Sequence, residues 1–218
     1  MLKRFQRIIL AALVLFLFSG VALGQGRGKG PTMKAGLIRT MISSPTYTIE
    51  NTDGSVTANN ADPMTGNDVF FEYILFDRLG LELETGLTAA VRDYQLKDAG
   101  GTVITNVSES SRPVILGMNL YFSSHSGSGL KPYIGLGAGQ MGVSMELNGG
   151  ILAQQTFSHT VPLNTIKLGF DWIKDNSGAR LEAMSIAGST IDTTSISGYT
   201  QTVDYNATVV GIALFAFF

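Results

Sequence analysis

The stretch LGLELETGLTAAVRD, residues 79–93, alternates with a period of two. Leu79, Leu81, Leu83, Thr85, Leu87, Ala89 and Val91 fall on one side, and Gly80, Glu82, Glu84, Gly86, Thr88, Ala90 and Arg92 on the other. Such alternation is the pattern of a β-strand with one apolar and one polar face. In a soluble protein the leucines would point inward. In a membrane barrel they would face lipid, and the Glu and Arg side chains would line the lumen.

Composition favours the second solvent. The chain has 218 residues, of which 44% are hydrophobic and only 15% charged, against about a quarter charged in ordinary soluble domains. No internal apolar run reaches the length of about 18 residues that a spanning helix needs. Hydrophobicity spread over alternate positions is what a transmembrane barrel requires. The formal net charge of −2 gives no reason to expect a nucleic-acid partner, and the absence of cysteine excludes disulfides and thiolate metal sites. No metal-ligand spacing is present, and neither metal nor cofactor is expected.

Residues 1–24 read as a cleavable secretory signal. Lys3, Arg4 and Arg7 precede the short apolar core of residues 8–18, and Ala22, Leu23 and Gly24 offer a cleavage site. The mature domain would then run over 25–218.

About eight candidate strands follow, an even number as single-chain barrels require. They lie near 33–50, 67–76, 79–96, 112–122, 132–145, 165–174, 179–191 and 201–218. The gaps alternate: 51–66, 93–111, 144–163 and 192–200 read as long loops, whereas the links at Asp77, 123–129 and 174–178 are shorter. Long outer loops and short periplasmic turns make that order in an outer-membrane barrel with both termini in the periplasm. The expected fold is therefore an all-β, eight-stranded, antiparallel up-and-down transmembrane barrel in the cell outer membrane.

Glycine decides which face is inside. In PYIGLGAGQ, Tyr133, Gly135, Gly137 and Gly139 share one parity, while Ile134, Leu136 and Ala138 share the other. An eight-stranded barrel has an interior only wide enough for side chains to fill, so the small residues belong inside. In the sixth strand Ile166, Leu168, Phe170 and Trp172 then face lipid, and Thr165, Lys167, Gly169 and Asp171 face the lumen. Applied along the chain, parity predicts a mixed-sign lumen network of Glu72, Glu82, Glu84, Arg92, Lys167, Asp171, Arg180 and Glu182. Buried charges must pair. The network would at least plug the barrel and fix its register.

The chain closes with VVGIALFAFF, an amphipathic strand ending in Phe218. Phe218 looks like the terminal aromatic of the signal that the bacterial barrel-assembly machinery reads.

KPYIGLGAG (131–139) is similar to the basic–Pro–aromatic–Val/Ile–Gly pattern that opens the fifth strand of the OmpW-like outer-membrane family. LGFDW (168–172) resembles that family's Gly-x-Asp-aromatic pattern, and LIRTMISSP (37–45) is loosely like its first strand. The segment SSRP (110–113) departs from the family's Leu-Pro-Pro, so OmpA-like and OmpX-like small barrels remain open. The resemblance implies a monomer in contact with outer-membrane lipid that carries small hydrophobic solutes. A structural or adhesive barrel is the alternative.

Catalysis is the rival class, since some small barrels act on lipid A. It needs a nucleophile, a base and an orienting carboxylate within reach of one another. The only histidines are His125, in a turn, and His159, in a long loop on this reading. Neither sits in a His-x-Ser pattern on a strand, and no enzyme is expected.

Overall fold

In this computed structural model the described residues are 32–43, 46–51, 56–60, 63–97, 100–125, 127–149, 155–188, 191–196 and 199–218. The signal-sequence reading of 1–24 lies outside them. Twelve strands run in chain order: β1 (Thr32–Ile42), β2 (Thr46–Asn51), β3 (Val56–Asn60), β4 (Met64–Leu75), β5 (Leu79–Lys97) and β6 (Val103–Tyr121). They continue with β7 (Gly129–Asn148), β8 (Gln155–Lys174), β9 (Ser177–Gly188), β10 (Ile191–Ile196), β11 (Tyr199–Asp204) and β12 (Ala207–Phe217). Eight of them close an antiparallel barrel in the order β1-β12-β9-β8-β7-β6-β5-β4, and the other four form a separate sheet, β10-β11-β2-β3.

One end of the barrel is trimmed short. Phe76 and Asp77 both have positive φ, 52° and 63°, and the amide of Arg78 donates to the carbonyl of Leu75 at 3.2 Å. That is the two-residue primed turn whose twist suits a hairpin. Asp175, φ 55°, makes the comparable turn between β8 and β9. Both ends of the barrel domain meet here, the amide of Phe218 donating to the carbonyl of Met33 at 3.0 Å. Phe76, Phe122, Trp172 and Phe218 are all well exposed around this rim, as the aromatic girdle of a membrane interface demands.

The other end is built up. The segments read as long loops at 51–66, 93–111, 144–163 and 192–200 are largely strand. β5 runs to Lys97, β6 begins at Val103, β7 runs to Asn148 and β8 begins at Gln155. The stretches TYTIEN, IDTTSI and YTQTVD form β2, β10 and β11. Thr, Tyr and Ile favour strands even where a sequence is polar overall.

This growth has a physical logic visible along β8. Ile166, Leu168, Phe170 and Trp172 are exposed on the outer wall, over Lys167 and Asp171 inside. Beyond Asn164 the assignment reverses: Thr156, Ser158, Thr160, Pro162 and Asn164 lie outside, and Val161 and Leu163 are buried inside. β7 does the same, with Ile134 and Leu136 out at one end and Val143, Met145 and Leu147 in at the other. The lower barrel is thus apolar outside and charged inside. The upper barrel is built like a water-soluble one.

The wall has one irregular place. β5 pairs with β6 from Leu79↔Leu120 to Thr85↔Val114 and resumes at Ala90↔Ser111. Four residues of β5 therefore face two of β6, Arg112 and Pro113, with no ladder pairs between them. Proline has no N–H to donate to the ladder. Shifts at Thr65, Asn67 and Asp68 loosen the β4–β5 ladder at the same level. Parity predicts Thr88 inside, but the bulge swings it outward, and the exposed Asn67 Nδ2 reaches Thr88 Oγ1 at 3.5 Å.

Candidate functional site: the lumen

Small residues make room for the lower lumen. A Cβ on Gly80 would lie 1.8 Å from Glu72 Oε1, and one on Gly169 would lie 2.7 Å from the Tyr133 ring. Into that space project Glu72 from β4, Glu82 and Glu84 from β5, Lys167 and Asp171 from β8, and Arg180 and Glu182 from β9, each almost fully buried.

Arg180 is the hub. Its Nε donates to Asp171 Oδ1 at 2.8 Å, its Nη2 to Glu72 Oε2 at 2.7 Å, and its Nη1 to Glu82. The guanidinium also lies over the rings of Phe70 and Tyr133, 4.5 and 4.8 Å from their centroids. Lys167 donates to Glu82 Oε1 at 2.8 Å and to Glu84, and its Nζ stands 3.7 Å from Glu182 Oε1. Isolated charges would be costly here, and this degree of pairing is what lets them remain buried.

Several residues that parity reasoning overlooked complete the plug. Lys34 on β1 pairs with Glu72 at 2.7 Å and with Asp171, and it donates to Tyr121 Oη at 2.7 Å. Asn119 Nδ2 donates to Glu72 Oε1 and Glu82 Oε2 at 3.0 and 3.1 Å, and Tyr133 Oη donates to Glu182 Oε2 at 2.6 Å. Lys34 alternates with the outward Met33 and Ala35, and Asn119 and Tyr121 alternate with Met118 and Leu120. The signal was present in each case. His125, in the β6–β7 link, folds back beneath the floor, its Nε2 3.4 Å from Asp171 Oδ2 and its ring against Tyr121 and Phe217. Burial lowers its pKa from 6.5, with the Asp171 contact opposing.

Arg92 is inside but stands apart from the other seven residues. It pairs with Glu109 on β6, Nη2 to Oε2 2.8 Å, higher in the barrel. Burial raises the Glu109 carboxyl, and Arg92 offsets part of that shift. Near this level His159 lies half-buried on β8, a strand rather than the expected loop, with Nε2 2.9 Å from Tyr205 Oη.

Between plug and upper end lies a narrow cavity of about 30 Å³. Ile115, Met141, Met184, Ile186 and Val209 form its apolar wall, Asp68, Glu84 and Glu109 are its acidic members with Arg92 beside them, and Pro113 brings the irregular seam to it. Parity predicted a charged lumen network. Above it the inward positions of β7 and β8 keep their parity but are filled by Val143, Met145, Leu147, Val161 and Leu163.

No family model matches the chain, and no curated protein matches it in sequence. Solved structures do. The chain is similar to the outer membrane protein OprG from Pseudomonas aeruginosa at 15% identity and a TM-score of 0.62, over 86% of this chain and 95% of that one. It is similar to outer membrane protein AlkL at 12% identity and a TM-score of 0.52, over 88% of this chain and 94% of that one. The fold is that of an eight-stranded outer-membrane barrel. The apolar outer belt and aromatic rim are those such a fold requires.

Proposed function

We propose that this protein is a monomeric outer-membrane barrel that takes up small hydrophobic molecules in its upper cavity and releases them sideways into lipid. The observation that carries this reading is the apolar chamber whose wall includes the interrupted β5–β6 ladder at Pro113. An apolar solute gains by leaving water for such a chamber, and gains again by leaving it for hydrocarbon. The floor of Arg180, Lys167, Lys34 and their carboxylates opposes straight passage, so sugars and salts do not follow. The role is binding and passage rather than catalysis. Delivery rests on a secretory leader over 1–24 and on assembly-machinery recognition of the strand ending at Phe218.

Reconstituted liposomes test the reading. Uptake of a small hydrophobic fluorophore should rise with protein content, while sugar-driven swelling stays at background. Pro113→Val restores a ladder donor and should slow fluorophore uptake severalfold. Swelling in sugars would overturn the closed floor, and unchanged fluorophore uptake would leave the surface-interaction reading. That alternative draws support from the separate four-stranded sheet, which adds polypeptide on the water side of the barrel.

A further inference from the structure

Arg39 is a charge on the lipid-facing wall. On β1, Lys34, Ile38 and Thr40 are buried inside, whereas Leu37, Arg39 and Met41 are exposed on the outer face. Leu37 and Met41 flank Arg39 along the strand, and its partner on β12 is the exposed Ile212. The inward cations Lys34, Arg92, Lys167 and Arg180 each reach a carboxylate. No carboxylate among the described residues pairs with Arg39. A lipid-facing charge is costly unless a counter-ion meets it, so the counter-ion has to come from outside the chain.

The height of Arg39 says from which side. β1 rises from the periplasmic rim, where the Met33 carbonyl accepts from the Phe218 amide. Arg39 is six residues further along. At about 3.3 Å per residue on a strand tilted by about 40°, it stands about 15 Å above that rim. The apolar band of such a barrel is about 25 Å tall, so the nearer interface is the outer one. A long arginine side chain reaches an interface by snorkelling.

The neighbouring strands add polar groups. Arg39 faces Asn67 across the β1–β4 ladder, and Asn67 faces Thr88 across the β4–β5 ladder. Arg112 on β6 is exposed opposite the interrupted stretch 86–89 of β5, and no carboxylate among the described residues pairs with it either. The bulge that turns Thr88 outward thus completes a row of guanidinium, amide, hydroxyl and guanidinium over four adjacent strands. Strands lie about 4.8 Å apart, which puts the two arginine backbones about 14 Å from each other.

We infer that this row binds the phosphorylated headgroup of an outer-leaflet lipid, with Arg39 and Asn67 on one phosphate and Arg112 on a second. The inference does not depend on solute passage. A guanidinium meets a phosphate with two parallel charge-assisted hydrogen bonds. Asn67 gives one amide N–H to Thr88 Oγ1 at 3.5 Å and keeps the other for the same phosphate. A zwitterionic headgroup brings its own ammonium, which the arginines repel, whereas a phosphate monoester brings none.

The full barrel is placed in phosphatidylcholine nanodiscs with ¹⁵N at its arginine Nε, and Arg39→Gln and Arg112→Gln assign the signals. Diphosphoryl lipid A is titrated in, and compared with the same lipid stripped of its phosphates and with inorganic phosphate. The Arg39 Nε–H resonance should move saturably with the diphosphoryl lipid and hold still with the other two. Native mass spectrometry should show Arg39→Gln retaining that lipid about tenfold more weakly, about 1.4 kcal/mol. Arg39→Lys should fall between, because an ammonium cannot make the paired bonds. Stripped lipid that moves Arg39 as far would overturn the inference, as would a folded Arg39→Gln with unchanged retention. Inorganic phosphate that moves Arg39 at equal concentration would overturn the headgroup as the ligand. A response at Arg112 with none at Arg39 would overturn the row as a site. The comparison of lipids in the unaltered protein stands even if a variant does not fold.

Discussion

Arg180 Nη2 stands 2.7 Å from Glu72 Oε2, tying β9 to β4 across the lumen. The same guanidinium holds Asp171 and Glu82. Arg180→Met leaves these carboxylates without their main cation and should cost about 3–5 kcal/mol, the range for breaking a buried ion pair. Urea unfolding of the barrel in lipid vesicles measures it. Adding Glu72→Gln should recover part of the loss, because one unpaired charge is then removed.

Leu168 and Ser158 lie on the outer face of one strand, on opposite sides of the reversal at Asn164. Leu168→Arg places a charge in the hydrocarbon and should cost about 2–4 kcal/mol, whereas Ser158→Arg should cost about 0–1 kcal/mol. Equal costs in vesicle unfolding would mean that the apolar belt is not where the outer wall puts it.

Removing Phe218 takes away the terminal aromatic and the amide that donates to the carbonyl of Met33. The truncated chain should yield less folded outer-membrane protein. Heat-modifiable migration on unboiled gels reports the folded fraction at matched expression.

His125 and His159 both have their pKa lowered by burial. Each is therefore less protonated in the folded state than in the unfolded state just below pH 6.5. The unfolded chain binds more protons in that window, so stability falls as pH drops through it and is fully present above it. His125→Gln with His159→Gln should flatten the slope of stability against pH below 6.5.

The barrel was legible in the sequence because lipid imposes strict alternation. Leu79 to Glu84 and Ile166 to Trp172 each state their facing, and the turns at Asp77 and at 175–176 announce themselves. The second sheet was legible only in part: β2 and β11 lay largely within the strands read at 33–50 and 201–218, but as continuations of barrel strands, while β3 and nearly all of β10 fell in segments read as loop. These strands are rich in Thr and carry no apolar stripe to mark their pairing. The bulge near Thr88 escaped for a different reason, since alternation continues through the letters while the backbone departs from it. Of the plug, the charged residues on well-marked strands could be read by parity. His125 carries no periodic signal, because a turn has none, and its place under the floor depends on the path of the chain.

The reversal along β7 and β8 amounts to a waterline drawn on the hull. Lifting the barrel by two residues would strand Ile166 in water, and sinking it by two would drown Asn164 in hydrocarbon. Either displacement is opposed at every strand that carries the switch. The wall itself therefore sets the depth of immersion. A thicker bilayer has to thin around it, because above the line the outer face of β8 offers Thr156, Ser158, Thr160 and Asn164.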